Sequence, residues 1–199
     1  ARAASMAALS ASRLVCPAIW RINETSERSE CVFSAMAALV LALTQPGDVV
    51  LAEPMAYPGL RAAVTQLGRR IIAVDADEHG MVPGMLEEAC RQYKPGLVYL
   101  NPTLQNPTAI TMPERRRQEL ASVAKRNHVR IIEDDPYWLL ADAPPPPIAR
   151  LAPEQVYYIS TLSKCLTPGL RIAFVLIPDP GERERFLAAL RSFALMDAP

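Results

Sequence analysis

From residue 48 to the end of the chain, short apolar segments alternate with segments of helical spacing, and this alternation constrains the fold most. Apolar residues at positions 86, 89, 90 and 93 have the spacing of one helical face. Such alternation predicts an α/β fold in which a mostly parallel sheet is sandwiched by helices. Six segments are short, apolar and bounded by turn residues, as strands buried on both faces should be: 49–52, 71–74, 97–100, 129–133, 156–160 and 172–177.

Local patterns predict two helix starts and one loop. Thr111 with Glu114, and Asp179 with Glu182, have the spacing of a capping box, and each pair encloses a proline suited to a first helical turn. We therefore expect Thr111 and Asp179 to cap helices. The four prolines at 144–147 predict a rigid, extended surface loop.

The composition argues against several classes of protein. Basic and acidic residues number 21 each and half of the residues are hydrophobic, so no overall field recruits nucleic acid or an anionic membrane. The apolar run 35–43 is too short to cross a bilayer and predicts a buried helix. No secretory signal pattern opens the sequence. With scattered cysteines and only two histidines, we expect no metal site, reduced thiols and a cytoplasmic location.

Polar side chains follow three of the predicted strands, where chemistry gathers in sheets of this kind. Segment 101–109 carries amides, 133–137 carries carboxylates and a phenol, and 160–171 carries hydroxyls, a lysine and an arginine. Because the carboxyl ends of parallel strands meet at one edge, we expect these groups to converge. Together they suit an anionic, phosphorylated ligand that bears a carbonyl group.

These three segments also carry a family resemblance. The strings "QNPT", "EDDPY" and "TLSK…PGLR" resemble the motifs by which class I/II aminotransferases of fold type I contact pyridoxal 5'-phosphate (PLP). The longer strings "PTLQNPTAITMPERRR" and "SKCLTPGLRIAF" resemble most the aminotransferase-like domain of MocR-type regulators in the GntR family. The match runs from about residue 35 to residue 193. It implies the large domain of fold type I, with a seven-stranded sheet.

The resemblance implies a role for five residues around the cofactor ring. Lys164 binds PLP covalently, and Asp134 pairs with the pyridine nitrogen. Tyr137 and Asn106 contact the 3′ oxygen of the ring, and Tyr57 stacks on the ring. A carboxylate on the ring nitrogen keeps it protonated, and such charge-assisted hydrogen bonds contribute about 1.5–3 kcal/mol. The catalytic set implied is therefore Lys164, Asp134 and Tyr137.

The resemblance also implies a phosphate site. Arg171, with Thr161 and Ser163, would hold the phosphate, and arginine gives it a planar, permanent charge. Relatives carry a glycine-containing turn before the helix that we expect near Ser34, where backbone N–H groups bind phosphate. This chain has no glycine there, and Glu30 would repel a phosphate. We therefore expect weaker phosphate binding at this turn.

Simpler structural roles remain open for several of these residues. Asp134 has the character of a helix cap or a solvated turn, Tyr57 of a core residue, and Asn106 of a turn residue before proline. Thr161 and Ser163 suit a strand-end cap as well as a phosphate ligand. Two neighbouring acids, Glu133 and Asp135, are assigned structural roles only.

The domain organisation follows from where the resemblance begins. Residues 1–33 form a divergent N-terminal segment, with a helix expected over 1–13, and residues 34–199 form the PLP-binding large domain. The sequence opens on alanine, and we expect it to be part of a longer chain. The small domain of the family, which supplies an arginine for the substrate carboxylate, would then lie beyond residue 199.

Two functions from different classes are compatible with these residues. The first is an enzyme that transfers an amino group between an amino acid and a 2-oxo acid. The second is a PLP- or effector-sensing domain of a transcriptional regulator, which would contact DNA only through a winged-helix domain outside this chain. The resemblance implies a homodimer in either case. A dinucleotide-binding fold is a poorer hypothesis, because no G-x-G-x-x-G motif is present.

Overall fold

The computed structural model describes residues 20–23, 31–167 and 172–195. The strands of these parts are β1 Trp20–Asn23, β2 Val49–Ala52, β3 Arg70–Ala73, β4 Ala76–Asp77, β5 Gly80–Met81, β6 Leu97–Leu100, β7 Arg130–Asp134, β8 Val156–Thr161 and β9 Ile172–Leu176. The helices are α1 Cys31–Leu43, α2 Pro58–Gln66, α3 Pro83–Tyr93, α4 Glu114–Arg126, α5 Ile148–Leu151 and α6 Pro180–Leu195, with a 3₁₀ turn at Trp138–Leu140.

Seven of the described strands form one sheet, in the order β1-β9-β8-β7-β6-β2-β3. The pairs β8–β7, β7–β6, β6–β2 and β2–β3 are parallel, whereas β9 is antiparallel to both of its neighbours. The remaining two strands, β4 and β5, form a small antiparallel hairpin. The predicted α/β fold with a mostly parallel sheet is therefore confirmed.

All six predicted strands are present, with shifts at their ends. β2 and β6 have the predicted bounds, whereas β3 and β7 are shifted by one residue along the sequence. The shift brings Asp134 into β7, because this residue still pairs with Ile159 of β8. Neither β1 nor the β4–β5 hairpin was predicted, because the β1 sequence Trp-Arg-Ile-Asn is not an apolar run and two-residue strands carry too little periodicity to be recognised.

The sheet lies between two apolar layers. On one side, buried residues of α1, α2 and α6 form a core with the sheet, and on the other side α3, α4 and α5 form a second core. Side chains 35–40 of α1 are all buried, so the predicted buried helix is confirmed. No helix in the described parts of the chain is both long and apolar enough to cross a membrane.

The two predicted helix starts have different outcomes. Asp179 directly precedes α6, and its Oδ1 accepts a hydrogen bond of 2.7 Å from the Gly181 N–H, as expected for a cap. The capping box at Thr111 is wrong, because α4 begins only at Glu114 and the Thr111 hydroxyl accepts a hydrogen bond from the Leu104 N–H instead. The loop from residue 101 therefore competes with the helix for this hydroxyl.

Two further predictions concern the segments at 144–147 and before residue 34. Pro144, Pro145 and Pro146 lie in an irregular, partly exposed segment, as predicted for a surface loop, whereas Pro147 is buried. The predicted helix at 1–13 lies outside the described residues. Helix α1 runs across the expected boundary at residue 33, and β1 pairs with β9 in the main sheet. The division of the chain into 1–33 and 34–199 stays a prediction.

Candidate active site at the carboxyl ends of the strands

The segments that follow β6, β7 and β8 meet at one edge of the sheet. These three strands are parallel neighbours, with Tyr99 opposite Ile132 and Asp134 opposite Ile159. The segments at 101–109, 134–137 and 161–164 therefore leave the sheet side by side, as the sequence predicts.

Asp134 ends β7 in a buried position, with 3% of its surface exposed. Its Oδ2 accepts a hydrogen bond of 2.5 Å from the Tyr99 hydroxyl, and its backbone carbonyl accepts one of 2.7 Å from Asn101 Nδ2. Its Oδ1 is buried and has no hydrogen-bond partner among the described residues. Burial raises the pKa of Asp134 to about 6, and the Tyr99 hydrogen bond offsets part of this rise. At neutral pH this carboxylate is mostly charged, and only one of its two oxygens has a hydrogen-bond partner among the described residues.

The loop after β6 is held to Asp134 through Asn101. The Asn101 Oδ1 accepts a hydrogen bond of 2.8 Å from the Asn106 N–H, while its Nδ2 binds the Asp134 carbonyl. Asn106 is partly buried and precedes Pro107 across a cis peptide bond. One side chain, that of Asn101, thus joins the segments that carry two of the predicted ring contacts.

Lys164 lies in the turn after β8, with its side chain exposed. The Leu166 N–H closes this turn by a hydrogen bond of 2.9 Å to the Leu162 carbonyl. The next residue, Cys165, donates from its thiol to the carbonyl of Pro136 at 3.2 Å, which joins the turn to the segment after Asp134. The lysine and the aspartate therefore belong to adjoining segments of one sheet edge.

The predicted phosphate ligands have mixed positions. Thr161 is buried, and its hydroxyl donates to the Ile172 carbonyl at 2.8 Å and accepts the Ser163 N–H at 3.1 Å. The bond to Ile172 connects β8 to β9, so Thr161 has the strand-end role that its sequence position also allows. Ser163 is partly buried beside Thr161, and Arg171 lies outside the described residues. The phosphate role of these three residues stays a prediction.

The two predicted tyrosines are both partly buried and lie at the starts of helical segments. Tyr57 precedes α2, and its ring covers Gly59 so closely that a Cβ on this glycine would collide with the ring. Tyr57 is also near enough to Tyr99 to affect the pKa of Tyr99. Tyr137 precedes the 3₁₀ turn at Trp138–Leu140, three residues after Asp134. Their roles at the cofactor ring stay predictions.

The opposite side of the β7 end has a different organisation, because alternate side chains of a strand point to opposite faces. Glu133 and Asp135 lie on this side, which we call the closed side, and Asp134 lies on the open side. Glu133 accepts hydrogen bonds from the backbone N–H groups of Ile148 (2.9 Å) and Ala149 (2.8 Å) at the start of α5. Burial raises the pKa of Glu133 to about 7 and that of Asp135 to about 8.

Arg117 occupies the centre of the closed side and is fully buried. Its guanidinium donates to the carbonyls of Met112 (2.9 Å), Pro102 (3.0 Å) and Pro146 (3.3 Å), and to Thr103 Oγ1 (3.0 Å). One of its nitrogens is 3.8 Å from Glu133 Oε1. The positive charge of this arginine is thus shared among four oxygen acceptors and one carboxylate, and it stays within the core.

A cavity of about 190 Å³ adjoins the open side at Asn101. Glu53, at the end of β2, lines it and has a pKa raised to about 7 by burial. The Glu53 Oε1 accepts a hydrogen bond of 2.9 Å from the Met81 N–H, so this acid ties β5 to the end of β2. Because Glu53 has this structural partner, we take Asp134 rather than the cavity as the centre of the candidate site.

Three residues that organise this edge were not predicted from the sequence: Tyr99, Asn101 and Arg117. A period of two along β6 places Tyr99 and Asn101 on one face, which was a usable signal once 97–100 was recognised as a strand. Arg117 carried no signal, because it lies in a run of three arginines that is typical of an exposed helix start.

Comparison with known proteins identifies the family. Residues 29–197 match the family model described as aminotransferase class I and II. The chain is 37% identical over 145 residues to the uncharacterized HTH-type transcriptional regulator YdeF of Bacillus subtilis, covering 73% of this chain and 31% of the regulator. It is 33% identical over 150 residues to the mitochondrial kynurenine/alpha-aminoadipate aminotransferase of Mus musculus, covering 68% and 35%.

The fold agrees with this assignment. The structure of LysN, an alpha-aminoadipate aminotransferase of Thermus thermophilus complexed with N-(5'-phosphopyridoxyl)-L-leucine, superposes with a TM-score of 0.74 at 30% identity. The superposition covers 80% of this chain and 42% of LysN. The chain spans about a third of the length of the two curated relatives. The resemblance to aminotransferases and to MocR-type regulators is confirmed, and the chain belongs to the aminotransferase class I and II family.

Proposed function

We propose that this chain binds PLP and transfers an amino group between an amino acid and a 2-oxo acid, with Lys164 as the residue that holds the cofactor. The observation that carries the proposal is the buried Asp134 carboxylate, whose Oδ1 lacks a partner among the described residues at the sheet edge that Lys164 adjoins. A buried, charged oxygen without a partner costs about 1–3 kcal/mol or more. A protonated ring nitrogen is a partner that would offset this cost.

The residues of this edge fit the chemistry of PLP. When bound, PLP supplies an electron sink that stabilises negative charge on the α carbon of the substrate. Asp134 would hold the proton of the ring nitrogen, and Asn106 and Tyr137 would orient the ring at its 3′ oxygen. The freed amine of Lys164 would move the proton of the substrate α carbon, as base and then as acid. Tyr57 would cover the ring, and Thr161, Ser163 and Arg171 would hold the phosphate.

The proposal includes the partners and the location expected from the sequence. The substrates would be small amino acids and 2-oxo acids, and a second copy of the chain would complete a homodimer. A cytoplasmic location follows from the reduced cysteines expected in the sequence. The division into a divergent segment 1–33 and a cofactor-binding part 34–199 belongs to the same proposal.

The experiment that tests the assignment is PLP titration followed by borohydride reduction and peptide mapping. The sequence offers three lysines, Lys94, Lys125 and Lys164, so the modified residue is identified without ambiguity. We expect a single reduced adduct on the peptide that contains Lys164. Lys164→Ala should abolish the adduct, whereas Lys125→Ala, which removes an exposed lysine of α4, should not. An adduct on another lysine, or none in the unmodified protein, would contradict the proposal.

A second candidate function is supported by the similarity to the Bacillus subtilis regulator. In that function the same site would bind PLP, or an effector that reacts with it, and report its occupancy to a DNA-binding domain with little turnover. Incubation with pools of acidic, aromatic and aliphatic amino acids, together with a 2-oxo acid that accepts the amino group, separates the two functions. Formation of the amino acid derived from this acceptor in excess over protein supports the enzyme, whereas a change in PLP absorbance with no more than one equivalent of product supports the sensor.

A further inference from the structure

Tyr99 and Asp134 form a short, buried hydrogen bond on the open side. Tyr99 is in β6 with 1% of its surface exposed, and its hydroxyl oxygen is 2.5 Å from Asp134 Oδ2. This distance is that of a charge-assisted O–H···O⁻ bond, which is stronger than a bond between neutral groups. Tyr99 therefore binds one named oxygen of the carboxylate.

The hydrogen bond from Tyr99 occupies one carboxylate oxygen of Asp134 and leaves the other for a ligand. With Oδ2 bound to Tyr99, the oxygen without a partner among the described residues is Oδ1. Rotation of the carboxylate about its Cβ–Cγ bond would break the hydrogen bond from Tyr99, so this bond restrains the plane of the carboxylate. Asn101 fixes the backbone at the same residue through its bond to the Asp134 carbonyl. The carboxylate is thus restrained at its backbone and at one oxygen.

The charged and titratable groups described around this pair are few. Asp135 directly follows the last residue of β7 and faces the closed side. Glu53 and Tyr57 are near enough to Tyr99 to raise its pKa. The neighbouring strand β8 pairs Ile159 with Asp134, and helix α1, which packs on this side, contains no charged residue. Tyr99 is the group whose hydrogen bond favours the charged form of Asp134.

We propose that Tyr99 is a positioning residue, which orients the Asp134 carboxylate, keeps it charged and leaves its Oδ1 for the ring nitrogen of the cofactor. This inference rests on the proposed function and deepens it. Tyr99 acts through Asp134 and does not itself contact the cofactor.

Two opposing effects set the protonation of Asp134. Burial alone drives a carboxyl group toward its neutral form, which would present the wrong charge to a protonated ring nitrogen. A hydrogen bond from Tyr99 to the carboxylate opposes this effect. The pKa of Tyr99 is itself raised well above its ordinary value, by burial first and by Asp134 second, so the phenol keeps its proton and remains a donor.

The first measurement follows the protonation of Asp134 in the cofactor-free protein, by infrared titration of buried carboxyl groups. The Asp134→Asn variant identifies the band of Asp134. In Tyr99→Phe we expect the pKa of Asp134 to rise by about one to two units, which corresponds to the loss of about 1.4–2.7 kcal/mol from a hydrogen bond to a charged group. Tyr99→Leu, a second variant without the hydroxyl, should shift the pKa in the same direction.

Tyr158→Phe is the matched control. The Tyr158 hydroxyl lies 3.4 Å from Asp135 Oδ2 on the closed side, so this variant removes a phenol hydroxyl beside a buried carboxylate without touching Asp134. The Asp134 titration should not change in Tyr158→Phe. An unshifted Asp134 titration in both Tyr99 variants, or an equal shift in the Tyr158 variant, would overturn the proposal.

The second measurement is PLP affinity as a function of pH, which separates positioning from simple packing. At pH 7 the affinity of Tyr99→Phe should fall about twofold to tenfold relative to the unmodified protein, since raising the pKa from about 6 by one to two units leaves about half to nine-tenths of Asp134 neutral there. At pH 9 the ratio should return toward one, because Asp134 is charged in both proteins. A deficit that is independent of pH would indicate packing alone and contradict the inference.

The two measurements also separate this inference from the proposed function. If PLP fails to bind the unmodified protein, the proposed function fails, and the infrared titration still decides whether Tyr99 controls the charge of Asp134. If PLP binds through Lys164 but the Asp134 titration is the same with and without Tyr99, the function stands and the role of Tyr99 does not.

Discussion

The three consecutive acids at the end of β7 lie in two different environments, with Glu133 and Asp135 on the closed side and Asp134 on the open side. On the closed side, Glu133 accepts two backbone N–H groups and Arg117 donates to four oxygens, so the polar atoms mostly satisfy one another. On the open side, Asp134 has one side-chain hydrogen bond and an oxygen without a partner among the described residues. The polar groups of the closed side are mostly paired within the protein, whereas the open side leaves one carboxylate oxygen without a partner among the described residues.

Charge distinguishes the two sides more clearly than hydrogen-bond counting does. Asp135 on the closed side also has a buried Oδ1 without a partner among the described residues. Its pKa is raised to about 8 by burial and by Glu133, so at pH 7 it is mostly protonated and avoids the cost of a buried charge. Asp134, with a pKa of about 6, stays mostly charged at pH 7. The buried oxygen that carries charge without a partner among the described residues is therefore that of Asp134.

The largest expected effect comes from removing the arginine of the closed side. Arg117→Met deletes the donor to the carbonyls of Met112, Pro102 and Pro146 and leaves Glu133 without its cation. Breaking a buried ion pair by removing one partner typically destabilises a protein by about 3–5 kcal/mol. We expect a loss of this size in the free energy of unfolding, measured by urea denaturation.

Arg115→Met is the control for this prediction. Arg115 lies in the first turn of the same helix, has 89% of its side chain exposed and forms an i,i+4 pair of 3.0 Å with Glu119. Because exposed pairs contribute about 0–1 kcal/mol, this variant should change the stability by less than about 0.5 kcal/mol. Equal losses in the two variants would contradict the distinction between a buried network and a surface pair.

An intermediate effect is expected from pH. The folded-state pKa values of Glu133 (about 7) and Asp135 (about 8) lie above their ordinary values, so between about pH 4 and pH 8 the folded state binds more protons than the unfolded state. Stability should therefore fall as pH rises through this window. Each group contributes a slope of at most about 1.4 kcal/mol per pH unit.

Asp135→Asn isolates the contribution of Asp135 to this slope. The amide has the shape of the protonated acid and no charge, so the decline in unfolding free energy between pH 6 and pH 8 should become shallower. Urea titrations at several pH values measure the slope directly. A slope that is unchanged in Asp135→Asn would mean that Asp135 is already charged in the folded protein.

How far the sequence predicts this architecture differs between the two sides. The strands were recognisable because each is a short apolar run next to turn residues, and their parallel order brought 101–109, 134–137 and 161–164 to one edge. The contact between Tyr99 and Asp134 depends on the register of β6 against β7, with Tyr99 opposite Ile132. Register is set by tertiary packing, so the sequence of either strand alone does not contain it.

The closed side was the less predictable one. Residues 115, 116 and 117 are all arginines, and the third is buried because α4 packs against the segments at Pro102 and Pro146. Pro147, at the end of the predicted surface loop, is buried as well. The capping box at Thr111 failed because the N–H of Leu104, seven residues earlier in the same loop, donates to the Thr111 hydroxyl. A local pattern fails where another part of the fold uses the same group.

The smallest effect concerns strain in the loop that borders the open side. Ala109 has a φ of +58°, in the left-handed region, where a Cβ costs about 1–2 kcal/mol and where glycine is favoured. Ala109→Gly should relieve this strain and lose about 0.4–1 kcal/mol to the greater freedom of the unfolded chain. We expect a net gain of about 0.5–1 kcal/mol in urea denaturation.

Ala141→Gly is the control for this prediction. Ala141 has a φ of −78°, which alanine adopts without strain. Glycine at this position relieves no strain, so it should lower the free energy of unfolding by about 0.4–1 kcal/mol. Opposite signs for the two alanine-to-glycine changes would locate the strain at Ala109. The same sign for both would mean that the loop relaxes around Ala109. A relaxed loop would mean that Ala109 does not restrain the segment that carries Asn101 and Asn106.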